Sequence, residues 1–326
     1  MTRLFDAYIM VDWSAASKPV TGKNSIWIGI LAKDARLKLQ YQSVNIDTRL
    51  KARAFLEGII AKLTGRGDRV LIGFDFSLGY PAGTAEALGL DTSAKAPWQA
   101  MHAHLASKMK DKADNSNPRY AIAAGMNYAI SKGPFPFWGA PARDVVSTLS
   151  DKKPDFDGQA LPEYRIVESQ MRASKRGQPK SVWQLAYTGS VGSQSLTGIP
   201  HIHALRQALP ASRVWPFEFE DGEMTEESLD GVQVVFAEIY PSLIPAKPEK
   251  GETPDAAQIR QIAHYYSEMD EKGRLNGRIS TNNSLDEGKI SQIQSEEGWI
   301  LGKDIGCFQA GFGSERPLGF LRAFGS

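Results

Sequence analysis

Two short apolar runs, far apart in the chain, each lead into an aspartate within the same local pattern. Residues 7–11 (AYIMV) precede Asp12 and residues 69–74 (RVLIGF) precede Asp75, and the tetrapeptides VDWS and FDFS share the order apolar residue, Asp, aromatic residue, Ser. A third apolar run, GVQVVFA, ends in Glu238. Apolar runs of this length, bounded by turn residues, are typical of buried strands. The sequence therefore predicts a sheet in which three strands carry acids at their carboxyl ends.

The segments around these strands predict further elements. SIWIGIL and LKLQYQSVNI each follow residues with turn chemistry, so the first three strands are expected to form an antiparallel meander. Apolar spacing predicts a helix over residues 50–63, which a glycine-rich turn ends. Thr253 and Pro254 have the residue types of an N-cap and a first helical position. A last helix is expected over residues 286–297.

At 326 residues, the chain is long enough for one α/β domain with insertions. Residues 1–81 and 231–326 are expected to form the two parts of the core. Residues 82–230, in which helical pieces alternate with Pro- and Gly-rich turns, are expected to form an elaborated insertion that makes one wall of a cleft. Within the insertion, residues 188–198 are predicted to be a glycine-rich loop, followed by a helix that begins after Pro200.

Charge and cysteine content limit the expected partners. The formal net charge is +1, from 38 basic and 37 acidic residues, so a nucleic acid or nucleotide would have to be bound through a local basic patch. Cys307 is the only cysteine, which excludes an internal disulfide, and we expect a buried, inert thiol in a reducing compartment. With no secretory signal and no stretch of roughly 20 apolar residues, a cytoplasmic protein without a membrane partner is expected.

The strand-end acids, Asp12, Asp75 and Glu238, are the main candidates for a reactive site, because acids at the carboxyl ends of strands can converge on one crevice. Carboxylates that lie close together repel each other and require a proton or a cation. Oxygen ligands favour Mg²⁺ or Mn²⁺, and two such ions about 4 Å apart can activate water for phosphodiester cleavage. None of the five histidines is expected to bind metal, since those closest in sequence are two residues apart and would point to different faces of a helix.

The order of these elements is similar to that of the RNase H-like superfamily, and in particular to a branch described as predicted nucleases with an RNase H fold. The resemblance rests on YIMVDWSAAS, VLIGFDFSLGYP, VVFAEIYPS and, more loosely, SEEGWILG. It implies an α/β fold with a mixed five-stranded sheet flanked by helices and a large central insertion. It also implies that Asp12 and Asp75 are metal ligands. The last acid of the superfamily comes from the final helix, where this sequence offers Glu297 or Glu296.

Hydroxyl groups and cations near these motifs are candidates for contacts with substrate phosphates. Two serines follow the strand-end aspartates, two lie in the glycine-rich loop, and two cations belong to the basic run just before that loop. A structural turn and a solvated loop are the alternative interpretations of these segments. The candidate substrate-binding residues are Ser14, Ser77, Ser190, Ser193, Arg176 and Lys180.

The sequence and the resemblance together predict a metal-dependent phosphodiester hydrolase in which Asp12, Asp75 and Glu238 are catalytic. Each acid also has a structural interpretation, as a turn residue, a cap or a salt-bridge partner. An actin-like ATPase or small-molecule kinase on a related core is a second interpretation, although those enzymes usually have glycine after the first Asp, where this chain has Trp13. A non-catalytic binding module is the third.

Overall fold

A computed structural model describes residues 3–175, 177–187, 189–277, 279 and 285–303. This part of the chain forms an α/β fold in which helices flank a mixed six-stranded sheet with the strand order β3-β2-β1-β4-β6-β5. The strands are β1 (Ala7–Asp12), β2 (Ile26–Lys33), β3 (Leu39–Ile46), β4 (Val70–Phe74), β5 (Ser212–Val214) and β6 (Val234–Glu238).

The sheet has an antiparallel half and a parallel half. β1, β2 and β3 form the predicted antiparallel meander, which is confirmed, whereas β4 runs parallel to β1, and β6 runs parallel to both β4 and β5. The expected number of five strands is wrong for the described residues. The additional strand, β5, has three residues and lies at the edge of the sheet. It is too short to show a periodic pattern of apolar residues in the sequence.

The helices are α1 (Arg49–Gly65), α2 (Thr84–Ala87), α3 (Pro97–Lys108), α4 (Arg119–Ser131), α5 (Ile166–Ala173), α6 (Gly192–Ala208), α7 (Pro254–Glu271) and α8 (Glu287–Gln292). The predicted N-cap of α7 is confirmed, because the Thr253 side chain accepts a hydrogen bond from the N–H of Ala256. α8 continues into a π-helical turn, Ile293–Glu297. In the described part of the chain, none of the helices combines the length and the apolar composition that a bilayer-spanning segment requires.

α6 differs from its prediction. The helix begins at Gly192, within the segment predicted to be a loop, and it contains Pro200. Its glycines serve close packing: a Cβ on Gly198 would lie 2.1 Å from the ring of Phe76, and one on Gly192 would lie 2.4 Å from the carbonyl oxygen of Val182. Glycine in a helix is read from sequence as a breaker, and here it allows the helix to approach the loop that follows β4.

The two faces of the sheet bury different cores, because side chains alternate along each strand. Val11, Phe74 and Phe236 belong to a core cluster that also contains residues of α1, α3 and α6. Met10 and Ala237 belong to a second cluster, with residues of α7. Consequently the residues that leave the carboxyl ends of β1 and β4 emerge between α6 on one face and α7 on the other.

Candidate functional site

Asp12 and Asp75 are brought together by the parallel pairing of β1 and β4. Val11 lies opposite Phe74 in this ladder, and the N–H of Asp75 donates to the carbonyl of Val11 at 3.2 Å. The next residue of each strand is therefore an aspartate at the same level of the sheet. The two carboxyl groups are hydrogen bonded to each other, and both side chains are half-buried. Residues 63 positions apart in the sequence thus form one acidic pair.

Two further groups hold this pair in place. The backbone N–H of Trp13 donates to Oδ1 of Asp75 at 2.7 Å. The side-chain amide of Gln194, in the first turn of α6, donates to the carbonyl oxygen of Trp13 at 2.5 Å and lies 3.5 Å from Oδ2 of Asp75. Gln194 was not among the expected site residues, because only side chains with a hydroxyl group, Ser190 and Ser193, were selected from this segment. Its amide ties α6 to the acidic pair.

The environment of the pair favours one shared proton. Burial raises the pKa of Asp12 well above its ordinary value, and the negative charge of Asp75, the hydrogen bond to it and the charge of Asp255 raise that pKa further. Burial also raises the pKa of Asp75, to about 6, although the N–H of Trp13 acts in the opposite direction. These opposite effects of the shared hydrogen bond favour a state in which Asp12 holds the proton and donates it to an ionised Asp75. Among the described residues, no lysine or arginine contributes to the pKa shift of Asp12.

Asp255 supplies a third carboxylate near the pair. It lies in the first turn of α7, which packs against β1 and β2, and its Oδ2 accepts a hydrogen bond from the backbone N–H of Asn24 at 2.9 Å. Within the described ranges, no three Asp, Glu, His or Cys side chains are grouped closely enough to form a metal site, so Asp255 acts on Asp12 through its charge. Sequence analysis did not select Asp255 as a site residue, because it follows Thr253 and Pro254, and an acid in the first turn of a helix is expected for stability alone.

Glu238 does not join the aspartate pair, which corrects the expectation that it acts there. It lies beside Phe74 in the β4–β6 ladder, and because side chains alternate, it faces the opposite side of the sheet from Asp75. Its carboxylate accepts hydrogen bonds from Arg165 at 2.6 and 2.8 Å and from the N–H of Leu78 at 3.1 Å. Glu238 therefore holds the loop that follows Asp75 and is a positioning residue.

Glu297, the expected metal ligand, also lies elsewhere. Its carboxylate accepts hydrogen bonds from the N–H of Ala82 at 3.0 Å and from the first residue of α5 at 2.7 Å. Glu296 likewise accepts from two backbone N–H groups in the segment after β4. A Cβ on Gly79 would lie within 2.4 Å of backbone oxygens of both glutamates. The C-terminal acids therefore fasten the π-helical turn onto the loop after β4 and do not complete the aspartate pair.

The predicted hydroxyl contacts are occupied or buried. Ser14 donates to the carbonyl oxygen of Asn24 at 3.0 Å, and Ser193 donates to that of Leu185 at 2.6 Å. Ser77 is buried. Ser14 and Ser193 therefore stabilise loops of the protein, and their role in binding phosphate stays a prediction.

The remaining candidates lie in the segment before α6. Ser190 is half-buried and Lys180 is exposed. Arg172, from the same basic run, packs over the ring of Tyr164 and donates to a backbone carbonyl. Arg176 and Cys307, the predicted inert thiol, lie outside the described residues. Lys180 is thus the expected substrate contact whose side chain is exposed to solvent.

Buried Arg49 holds the loop that follows Asp12. Its Nη1 donates to the carbonyl oxygens of Ser14 and Ala16 at 3.0 and 2.8 Å. Nε and Nη2 each donate to Asp111 at 2.7 Å, and Nη2 also donates to the carbonyl oxygen of Asn115. A guanidinium has five N–H donors, so all of them are used. Arg49 therefore stabilises the loop that follows Asp12, as Arg165 and Glu238 stabilise the loop that follows Asp75.

Known proteins offer no relative through which this site can be assigned. No family model matches the sequence, and no curated protein or solved structure is significantly similar to it. The function of the site is therefore inferred from its own geometry and charge.

The shared proton predicts how stability depends on pH. Because the pKa of each aspartate is higher in the folded than in the unfolded chain, the folded protein binds more protons, and stability falls as pH rises from about 4 through 6 and beyond. Asp12→Asn keeps a donor for Asp75 and needs no proton. We expect this variant to match the metal-free wild type near pH 4 and to be about 1–3 kcal/mol more stable at pH 8.

Urea denaturation in EDTA across this pH range measures the difference. Comparison of the two proteins cancels the contributions of the other titrating groups. A stability difference that does not change with pH would show that the carboxyl groups do not share a proton.

Proposed function

We propose that this chain is a metal-dependent phosphodiester hydrolase, a nuclease acting on nucleic acid or nucleotides, built on an RNase H-like core. The strand order β3-β2-β1-β4-β6, with β2 antiparallel to its neighbours, supports the core. One observation carries the activity: Asp12 and Asp75 are hydrogen bonded at the ends of two central parallel strands, and no cationic side chain in the described part of the chain contributes to the pKa shift of Asp12. Acids in such a position are stable as anions when a cation joins them.

The donor set fits a hard divalent cation. Asp12 and Asp75 provide carboxylate oxygens, Asp255 adds a third negative charge nearby, and such oxygen ligands favour Mg²⁺ or Mn²⁺. When bound, the ion would activate water and stabilise the leaving oxygen of a phosphodiester. Trp13 and Gln194 keep Asp75 oriented. Asp12 must release its proton before it can serve as a ligand, so cation affinity should rise with pH.

The residue after Asp12 argues against the kinase or ATPase interpretation. Trp13 is buried, its backbone N–H donates to Asp75, and its ring packs against Phe74 and Phe76. Glycine at this position would let a phosphate approach the backbone. Here the indole ring covers the backbone, and the backbone N–H of Trp13 is already hydrogen bonded to Asp75. The arrangement is better suited to a cation between carboxylates than to a nucleotide phosphate on the loop.

Cleavage assays on single-stranded, duplex and branched oligonucleotides test the proposal, each with Mg²⁺, with Mn²⁺ and with EDTA. We expect cleavage of at least one substrate with either metal and none in EDTA. A parallel arm measures thermal stability with ATP. Stabilisation by ATP without cleavage of any oligonucleotide would contradict the nuclease and favour a kinase or ATPase. If millimolar metal changes neither cleavage nor stability, the chain is a binding module.

The third acid can be identified by a matched pair of variants. Asp255→Asn removes a charge that acts on Asp12, so we expect Mg²⁺ to bind about tenfold more weakly, the lower end of what losing an outer-shell partner costs. Glu297→Gln replaces a carboxylate whose oxygens accept hydrogen bonds from backbone N–H groups. It should lower stability and leave Mg²⁺ affinity within about twofold. Calorimetric titration of both folded variants with Mg²⁺ measures these affinities. Weaker Mg²⁺ binding in Glu297→Gln and unchanged binding in Asp255→Asn would identify Glu297 as the ligand.

A further inference from the structure

The segment that precedes α6 presents an exposed aromatic ring on a strained backbone. Tyr187 is 61% exposed, and its φ of +76° is in the left-handed region, which a bulky side chain rarely adopts because its Cβ approaches the backbone too closely. Among the described residues, it is the one aromatic residue with a positive φ. Strained residues of this kind cluster at sites that contact ligands, so the exposed ring is a candidate for such a contact.

Hydrogen bonds join this segment to the helix turn beside the aspartate pair. The hydroxyl group of Ser193 donates to the carbonyl oxygen of Leu185 at 2.6 Å. The next residue of the helix, Gln194, lies 3.5 Å from Oδ2 of Asp75. Tyr187 is two residues from Leu185, and two residues span at most about 7 Å. A strand bound at the proposed metal site could therefore reach the Tyr187 ring a few nucleotides away from the reacting bond.

Lys180 adds a positive charge beside the same segment. Its side chain is exposed, and a Cβ on Gly189 would lie 3.6 Å from its Cγ and 3.7 Å from its Cε, so the lysine packs two residues from Tyr187. A lysine contacts a phosphate as a point charge, and an aromatic face stacks on a base. An aromatic ring and a cation near each other match the base and phosphate of an unpaired strand.

We infer that the segment before α6 binds single-stranded nucleic acid, with the Tyr187 ring stacked on a base and Lys180 contacting a phosphate. The inference rests on the proposed nuclease, whose substrate class it names, but its test does not require cleavage. Unpaired bases expose their faces to an aromatic side chain, whereas bases inside a duplex already stack on one another. The stacking contact therefore selects single strands, and the lysine contact serves either form.

Fluorescence anisotropy of the whole chain in EDTA, with a labelled single-stranded oligonucleotide and with the matching duplex, tests this inference. Tyr187→Gly should weaken single-strand binding at least about fivefold, the effect of losing one stacked base, and change duplex binding less than about twofold. Tyr187→Phe keeps the ring and should bind the single strand within about twofold of the wild type. Because glycine adopts a positive φ without strain, Tyr187→Gly should melt no lower than the wild type, which separates lost binding from lost folding.

Lys180→Gln separates the phosphate contact from the stacking contact. Losing one phosphate contact should reduce the slope of log affinity against log salt by about 0.7 for a single strand, whereas Tyr187→Gly should leave this slope unchanged. The matched controls are Tyr128→Ala, an exposed tyrosine whose ring is covered by Lys132, and Lys38→Gln, an exposed lysine of the β2–β3 turn. Each control should change binding less than about twofold.

Wild-type affinity in Tyr187→Gly, or equal weakening of its single-strand and duplex binding, would overturn the inference. Absence of single-strand binding up to about 0.1 mM protein, the weak end of non-specific affinities, would also overturn it. Failure of the nuclease has a different signature. Metal-dependent cleavage of duplex alone would keep the hydrolase and overturn this substrate class, whereas Tyr187-dependent binding without cleavage of any oligonucleotide would keep the strand-binding segment and overturn the hydrolase.

Discussion

Asp12→Asn and Asp75→Asn are each expected to abolish Mg²⁺-dependent cleavage in a protein that still folds. Each variant removes a carboxylate from a pair that otherwise shares a proton or a cation. Loss of an outer-shell partner alone costs about 10–100-fold in metal affinity or activity, so loss of a direct ligand should exceed about 100-fold. The measurement is the initial rate on the best oligonucleotide substrate, together with the shift in melting temperature that Mg²⁺ causes.

Asp6→Asn is the matched control for these variants. Asp6 stands just before β1, at the strand end opposite Asp12, and pairs with Lys33. Its replacement should leave the rate within about twofold, since exposed ion pairs contribute little. Cleavage that persists in both pair variants, with an unchanged requirement for metal, would exclude the pair as the metal site.

Arg165→Met is expected to lower the free energy of unfolding by about 3–5 kcal/mol, because breaking a buried ion pair from one side leaves unpaired charge in the core. Arg165 is fully buried, and its guanidinium is bound by the carboxylates of Glu168 and Glu238 and by the backbone carbonyl of Glu297. Both carboxylates would remain buried in the variant without their cationic partner. Urea denaturation at pH 7 measures the loss.

The mechanism of that loss can be separated from simple loss of packing. Adding Glu168→Gln and Glu238→Gln to Arg165→Met removes the unpaired charges and should recover at least about half of the lost stability. Arg143→Met, in an exposed pair with Asp144, should change stability by less than about 0.5 kcal/mol. If the triple variant is no more stable than Arg165→Met alone, packing and not charge accounts for the effect.

The pairing of Asp12 with Asp75 was predictable because it depends on local patterns. Each aspartate follows an apolar run of similar length, and parallel strands bring such ends to the same edge of a sheet. The prediction that Glu238 joins this pair was wrong because the strand register differs by one residue. Glu238 lies opposite Phe74 and not opposite Asp75, and a shift of one residue moves a side chain to the other face. Register between strands about 160 residues apart is a tertiary property that an apolar run does not encode.

The other missed residues belong to helices whose roles depend on what packs against them. Gln194 lies in α6, whose glycines permit close packing and so resemble a loop in sequence. Asp255 has the residue type expected in the first turn of any helix, and only the packing of α7 on β1 and β2 brings it near Asp12. Three-dimensional neighbours, and not sequence spacing, distinguish these residues from ordinary helix termini.

The arginines that hold the loops after the two aspartates have no N–H group left for a ligand. Arg49 and Arg165 spend every donor on protein atoms, so neither can draw a polyanionic substrate toward the acids. In a phosphodiesterase of this design, the inorganic cation would therefore supply the positive charge at the reacting bond that these two arginines cannot. Metal loading is then expected to strengthen the association of a polyanionic substrate.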